Sequence, residues 1–345
     1  MKKFANLGFL VLTFAFLAGC SSSGGRAAGP SGKIVIYTSM YEHVIAAVSK
    51  ALEKEFPNCD INFVYGGTGQ IQARVASEYA AGRLGCDMLM VAEPTYSMEL
   101  QYMGILHSYV TPEEPYLAYE HCKDFFWYPV RVSNMVLAYN PEKNAKSAVP
   151  NSFYDFANNA GARGAISMSN PLTSGTTMAA VAALKDKYGY EYFEALGRQN
   201  VAIESGAVAL EKLESGQYKA IMILEESVLK ERQENGSKVE VIYPEDGVIN
   251  IPSTIMSIDE KFSANKNIRA AEAITDWFLS EQGQSVIVDG WMHSVRKDFA
   301  KKPFDSISEG DIRLNSIPML WINHFRERDE VQSRFEELIT SRRQN

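Results

Sequence analysis

The chain has few cysteines, few histidines and a deficit of positive charge, and after Cys20 it has no apolar run long enough to cross a bilayer. Its four cysteines, Cys20, Cys59, Cys86 and Cys122, match no zinc spacing. Cys20 directly follows the N-terminal leader and is read with it, which leaves three; one disulfide among these is allowed, and sequence does not choose the pair. Lys and Arg number 34 against 42 Asp and Glu, a formal charge of −8, which argues against a nucleic-acid partner. Neither a Gly-x-Ser-x-Gly elbow, a His-Glu-x-x-His helix nor a phosphate-binding P-loop occurs. With no defensible nucleophile–base pair, the reading is a non-enzyme that uses no cofactor. His43 and His293 are isolated in sequence and read as ordinary hydrogen-bonded histidines.

The leader is the most informative stretch. Met1-Lys2-Lys3 is a positive start, Leu7 to Leu17 is a short apolar run, and Leu17-Ala18-Gly19-Cys20 follows at once. That order matches a secretory signal, and the run is too short to span a bilayer comfortably. The Leu-Ala-Gly-Cys ending resembles a bacterial lipobox. The resemblance implies cleavage after residue 19, lipidation of Cys20 and anchoring at the periplasmic face of the cell envelope. Loss of residues 1–19 removes Lys2 and Lys3 and no acid, so the mature chain is more acidic still. Residues 20–32 are small, polar and Gly-rich, a flexible tether. The remaining residues, about 310 of them, exceed one typical core and suggest two lobes.

Strand and helix signals then alternate. Strands are expected at 33–38, 60–65, 86–92, 130–139, 165–168, 218–224, 239–243 and 248–257. Helices are expected at 42–56, 70–81, 95–103, 176–186, 191–197, 206–214, 267–279 and 281–288, with Gly216 as a cap and further helix near the C-terminus. This pace means parallel βαβ units. Ligands in open α/β sheets sit outside the carboxyl ends of strands, so the residues there are the candidates. They are Ser39, Met40 and Tyr41 after the first strand, Thr68 and Gly69 after the second, and Glu93 after the third. In the second half they are Thr173, Ser174, Gly175 and Thr176, then Ser205, then Glu225 and Glu226. Segments 66–70 and 169–177 each lead into a helix. Gly there allows close backbone approach, Ser and Thr add hydroxyls, and free amides with the helix dipole favour an anion. Plain helix capping is the competing reading for Ser and Thr at such positions. The acids Glu93, Glu225 and Glu226 suit sugar hydroxyls or a hard metal. Trp127, Tyr128 and Trp291 read as core or hinge packing.

Several segments in this order resemble the periplasmic solute-binding proteins of ABC importers, in the group of ferric-ion and hexose-phosphate binders. They are Lys33–Ser39 (KIVIYTS), Cys86–Glu93 (CDMLMVAE), Ser169–Thr176 (SNPLTSGT), Ala209–Gly216 (ALEKLESG) with Ala220-Ile-Met-Ile, and Ala271–Gly283 (AEAITDWFLSEQG). The resemblance covers residues 33–300. It implies an α/β, two-lobed periplasmic-binding-protein clamp of type II, with parallel-rich sheets flanked by helices and two crossover strands at the hinge, near 131–139 and 248–257. Lobe 1 is expected at 33–130 plus 256–345, and lobe 2 at 131–255. A monomer partnered by ABC importer membrane subunits is implied. The ferric branch places adjacent tyrosines where this chain has Glu225-Glu226, and a histidine where it has Tyr41. Iron would therefore fall to a Tyr41, Glu93, Glu225 and Glu226 oxygen set. The expected solute is a small anionic organic phosphate or phosphonate, such as a sugar phosphate; ferric iron is the alternative and an extracellular phosphoester hydrolase a distant third.

Overall fold

The computed structural model describes residues 29–314, 316–317 and 321–340. The leader 1–19, the lipidation candidate Cys20 and the tether up to residue 28 lie outside the described residues.

The first half alternates as its apolar periodicity requires. In chain order come β1 (Gly32–Thr38), α1 (Glu42–Glu55), β2 (Cys59–Tyr65), α2 (Thr68–Ala80), β3 (Met88–Val91), α3 (Pro94–Tyr102) and a short β4 (Leu106–His107). The long β5 (Tyr128–Tyr139) follows, buried along its whole length. Next are α4 (Phe153–Asn158), β6 (Ile166–Met168), α5 (Gly175–Tyr188), α6 (Glu191–Arg198), β7 (Ala202–Ile203) and α7 (Gly206–Ser215). After these stand β8 (Ala220–Leu224), α8 (Glu225–Asn235), β9 (Glu240–Ile242) and β10 (Ile249–Ile258). The chain ends with α9 (Ile268–Leu279), α10 (Glu281–Asp289), α11 (Glu309–Leu314) and α12 (Trp321–Thr340). Helix α1 shows the logic: Val44, Val48 and Leu52, four residues apart, form its one buried stripe. Gly216 ends α7 at φ 85°, a left-handed conformation that costs glycine no side-chain clash.

The strands form one continuous sheet, ordered β2-β1-β3-β10-β5-β8-β6-β7, with β4 added to β10 and β9 to β5. β2, β1 and β3 are mutually parallel, as are β8, β6 and β7. The antiparallel strands β10 and β5 join the two parallel sets. β5 pairs with β10 from Tyr128 to Met135 and then with β8 from Met135 to Ala138. β10 pairs with β5 from Ile249 to Ile255 and then with β3 through Thr254–Ser257, with a bulge at Ser253/Thr254. These are the two crossover strands, and the architecture is that of a two-lobed type II clamp.

Each parallel set has its own core. The first lobe packs Ile34, Ile36, Met88, Ile274 and Phe278 together; the second packs Phe153, Phe156, Ile166, Phe193 and Met222. Helix α12 buries Val331, Phe335, Leu338 and Ile339 in the second lobe's core, with the Phe335 ring edge-on to Phe193 at 5.4 Å. The sequence groups 256–345 with the first lobe; the apolar face of this last helix instead seals the second. Helix α8 has no counterpart among the sequence expectations. Its only buried apolar side chains are Val228 and Leu229, too few to mark a helical period. Cys59, Cys86 and Cys122 are all free thiols, so no disulfide forms among them. Among the described residues no helix is long and apolar enough to cross a membrane.

Phe278 is fully buried, edge-on to Trp277 at 5.1 Å. Phe278→Ala is expected to cost about 3–5 kcal/mol in guanidinium unfolding, because the surrounding core cannot collapse fully around the missing ring.

Candidate functional site

The carboxyl ends of β1, β6 and β8 and the starts of α2, α5, α7 and α8 surround a cavity of about 650 Å3 between the lobes. After β1, Thr38 Oγ1 accepts from the Met40 amide at 3.0 Å. This turn sends Met40 into the core and leaves Ser39 and Tyr41 lining the cavity. Ser39 Oγ is buried and has no hydrogen-bond partner among the described residues. A buried hydroxyl left so is costly unless something else bonds it. Tyr41 reaches over the cleft, its hydroxyl 3.5 Å from Ser227 Oγ of α8.

The 66–70 and 172–176 segments meet face to face. A Cβ on Gly69 would lie 2.4 Å from the Leu172 carbonyl oxygen, and one on Gly67 would lie 2.9 Å from that of Thr173. One on Gly175 would lie 2.7 Å from Thr68 Oγ1 and 3.0 Å from Glu93 Cβ. These glycines serve close approach, not an unusual φ. The N-termini of α2 and α5, from different lobes, therefore converge on one place, each with partial positive charge. Ser174 does two jobs. Its Oγ caps α5 by accepting from the Thr177 amide at 3.2 Å, and it stands 3.1 Å from Thr176 Oγ1 in the cavity wall. Ser205 similarly caps α7, accepting from the Val208 amide at 3.4 Å.

Arg131 of β5 lines the same cavity while only 3 % exposed. Its one side-chain hydrogen bond among the described residues runs from Nη1 to Met292 Sδ at 2.9 Å. Burial pulls its pKa down, opposed by the charge of Glu226 and by Tyr41. Glu226, on the first turn of α8, accepts from Ser133 Oγ at 2.7 Å. Burial pushes its carboxyl up to about 7, against the pull of that hydrogen bond and of Arg131. Burial also raises the Tyr41 phenol. The cleft thus holds a buried guanidinium, a carboxyl whose pKa burial raises to about 7, the further charged side chains Glu204, Lys230 and Glu231, and hydroxyls from both lobes.

Of the residues expected from sequence, Ser39, Tyr41, Thr68, Thr173, Ser174, Gly175, Thr176, Ser205 and Glu226 line this one cavity. Met40 is core, and Gly69 packs against Leu172. Glu93 is buried beside Arg328, whose Nη1 is 3.6 Å from Glu93 Oε2; burial raises its pKa to about 7, opposed by that arginine. Glu225 accepts from Asn134 Nδ2 at 2.8 Å, from Tyr243 OH and Ser306 Oγ at 2.5 Å each, and sits 2.9 Å from His293 Nε2. Burial alone would raise its pKa, but His293 and the two hydroxyls hold it below the usual value. The Tyr41, Glu93, Glu225 and Glu226 iron set is consequently not gathered at one point. Among the described residues no group of three or more His, Cys, Asp or Glu converges to hold a metal.

Sequence reasoning missed Arg131, Lys230 and Tyr65, and it set His43 aside; all four line the cavity. Arg131 had a signal, a lone charge inside the apolar run of β5. Lys230 had none, since its helix went unseen. His43 stacks on Tyr41 at 5.6 Å, and burial, then Lys230, lowers its pKa.

Residues 96–310 match the family described as bacterial extracellular solute-binding protein, and the chain belongs to that family. It is a family of binding proteins, not of enzymes, with an extracytoplasmic, periplasmic place of action. No curated protein matches the sequence. Similar solved structures include the periplasmic binding protein AfuA from Actinobacillus pleuropneumoniae with fructose-6-phosphate bound. It is 18 % identical at TM-score 0.77, over 89 % of this chain and 98 % of that one. Iron-bound HitA from Pseudomonas aeruginosa is 20 % identical at TM-score 0.77, over 89 % and 99 %. The ferric binding protein from Campylobacter jejuni is 16 % identical at TM-score 0.69, over 88 % and 99 %. These likenesses confirm the fold and leave the solute open.

Two outcomes follow from the geometry. Gly69→Ala puts a methyl into the Leu172 carbonyl, so it should hold the lobes apart. Fluorescence transfer between probes on the two lobes should report a longer separation, while thermal stability is kept or gains up to about 1 kcal/mol from helix propensity. For Glu226, the folded pKa of about 7 lies above the ordinary 4.5. The stability of its neutral form is therefore complete below about pH 4.5 and lost as pH rises through about 7. Between about pH 5 and pH 8, the stability of Glu226→Gln relative to wild type should rise by roughly 1–3 kcal/mol in denaturant titrations.

Proposed function

We propose that this protein is the receptor of an ABC importer for a small organic phosphate or phosphonate, such as a sugar phosphate. It captures the solute between its lobes and hands it, unaltered, to the importer's membrane subunits. One observation carries the reading: the N-termini of α2 and α5 converge on a cavity that also holds Arg131 and the Ser39 hydroxyl, which has no hydrogen-bond partner among the described residues. Amide-rich helix starts and a buried guanidinium favour a compact anion with several acceptor oxygens. Thr68, Ser174 and Thr176 add hydroxyl donors around the same place. Glu226 suits the organic part, accepting from hydroxyls as a carboxylate or donating when protonated. The fold is shared with AfuA, whose structure holds fructose-6-phosphate.

Iron has less support, although HitA shares the fold. Of the four oxygen donors it would need, Glu93 is engaged with Arg328 and Glu225 with His293, Tyr243 and Ser306. Cys20 would hold the mature, monomeric protein on the membrane at the periplasmic face through its lipid.

Calorimetry with fructose 6-phosphate, inorganic phosphate and a simple alkylphosphonate, alongside ferric citrate, tests this. Binding of an organic phosphate or phosphonate is expected. The double variant Ser174→Ala/Thr176→Ala should lose at least ~100-fold in affinity, as should Arg131→Met, since hydrogen bonds to a charged group contribute roughly 1.5–3 kcal/mol each. The lost cap alone costs about 1 kcal/mol of stability, so unfolding curves give the control. Undiminished affinity in these variants, or binding of ferric citrate alone, would overturn the proposal.

A further inference from the structure

Helix α12 touches both lobes. Its lower half is bolted into the second lobe's core by Phe335 and Leu338. Its upper half is tied to α5 of the same lobe, with His324 Nε2 2.7 Å from Asp186 Oδ2 and an ion pair between Glu327 and Lys185. One turn on from His324, Arg328 points the other way. Its Nη2 donates to Glu99 Oε2 at 2.6 Å on α3 of the first lobe, and its Nη1 lies 3.6 Å from Glu93 Oε2.

Glu93 sits in the seam between the lobes. It is only 3 % exposed, and a Cβ on Gly175, the first residue of α5, would lie 3.0 Å from its own Cβ. Neither Glu93 Oε2 nor Arg328 Nη1 has a hydrogen-bond partner among the described residues. A carboxylate closed into such a seam without a counter-ion loses its hydration with nothing in return. A buried ion pair adds little net stability of its own, but removing one partner strands the other. Burial already holds the Glu93 carboxyl up at about 7 with Arg328 beside it, so once the arginine is gone the stranded group is a negative charge only at alkaline pH.

We propose that α12 is an inter-lobe clasp in which Arg328, anchored on the second lobe, neutralises Glu93 of the first and so permits the lobes to close. The pair admits closure; it does not drive it. This inference depends on the clamp motion and not on which solute the cleft takes.

The test uses the full-length, ligand-free protein at about pH 9, where the Glu93 carboxyl is ionised, with probes at the exposed Glu53 of α1 and Glu211 of α7, and reads the inter-lobe distance by pulsed electron paramagnetic resonance. Wild type is expected to populate a short distance. Arg328→Gln should shift the distribution to longer distances, lowering the closed population at least ~10-fold. Arg328→Gln/Glu93→Gln should restore the short distance, because no charge then needs neutralising. Arg328→Lys, which keeps the charge and spares the fold, should fall between wild type and Arg328→Gln. An Arg328→Gln distribution identical to wild type would overturn the proposal. A double variant as open as the single one would do so too, since that is the result of a purely structural role. Failure of the solute reading would appear instead in the calorimetry and would leave these distances as expected.

Discussion

The antiparallel pairing of β5 with β10 is the constraint on which the cleft depends. These strands belong to both lobes, so one hydrogen-bonded sheet runs through the whole molecule. A strand buried on both faces ordinarily excludes charge and amide side chains. β5 nonetheless presents Arg131, Ser133 and Asn134 at consecutive or near-consecutive positions where it passes between the lobes. Two of the three are matched to carboxylates of α8: Ser133 to Glu226, and Asn134 to Glu225. Arg131 is the exception, with a thioether for its hydrogen-bond partner. A site that spends its hydrogen-bonding capacity on itself has none for a solute, so the sparsely bonded Arg131 and Ser39 are the informative groups.

The two glycine-bearing segments complete the arrangement. Like-signed helix ends do not attract, yet α2 and α5 present theirs to one another at backbone contact. Burial of the seam and the crossover strands hold them there, and the potential between them favours an anion. Helix capping and ligand binding, set against each other as readings of Ser174, are one arrangement: the oxygen that satisfies an amide of α5 also faces the cleft.

Much of the fold was legible because its strands are short, apolar and bounded, as at Ile34–Thr38 and Ala220–Leu224, and because helices such as α1 keep one apolar stripe. Helix α8 was not, since EESVLKERQEN has almost no apolar period; its N-terminal residues were seen as strand-end acids without their helix. The cleft was legible wherever strand-end position sufficed, at Ser39, Thr68, Ser174 and Thr176. It failed where the outcome turned on a partner distant in the chain. Nothing near Glu93 announces Arg328, and nothing near Glu225 announces Ser306. Adjacent glutamates with the same local signal therefore took different fates, Glu226 in the cavity wall and Glu225 in a buried network. Met40 shows the finer limit: a single hydrogen bond from its amide to the Thr38 side chain decides which of two neighbours faces inward.

The network around Glu225 has a consequence for how this protein could acquire a new solute. Four donors or near neighbours from three separate stretches of chain converge on one carboxylate next door to a cleft residue. The first turn of α8 is thereby pinned to the polypeptide running from residue 293 to residue 306, and Glu226 inherits a fixed bearing without contributing to the pinning. Retuning selectivity is accordingly open through positions such as Tyr65, which is half-exposed at the rim and owes nothing to this knot. Exchange at position 225 would instead loosen the scaffold from which its neighbour is aimed, and drift of that kind would register as lost fidelity before it registered as a changed preference.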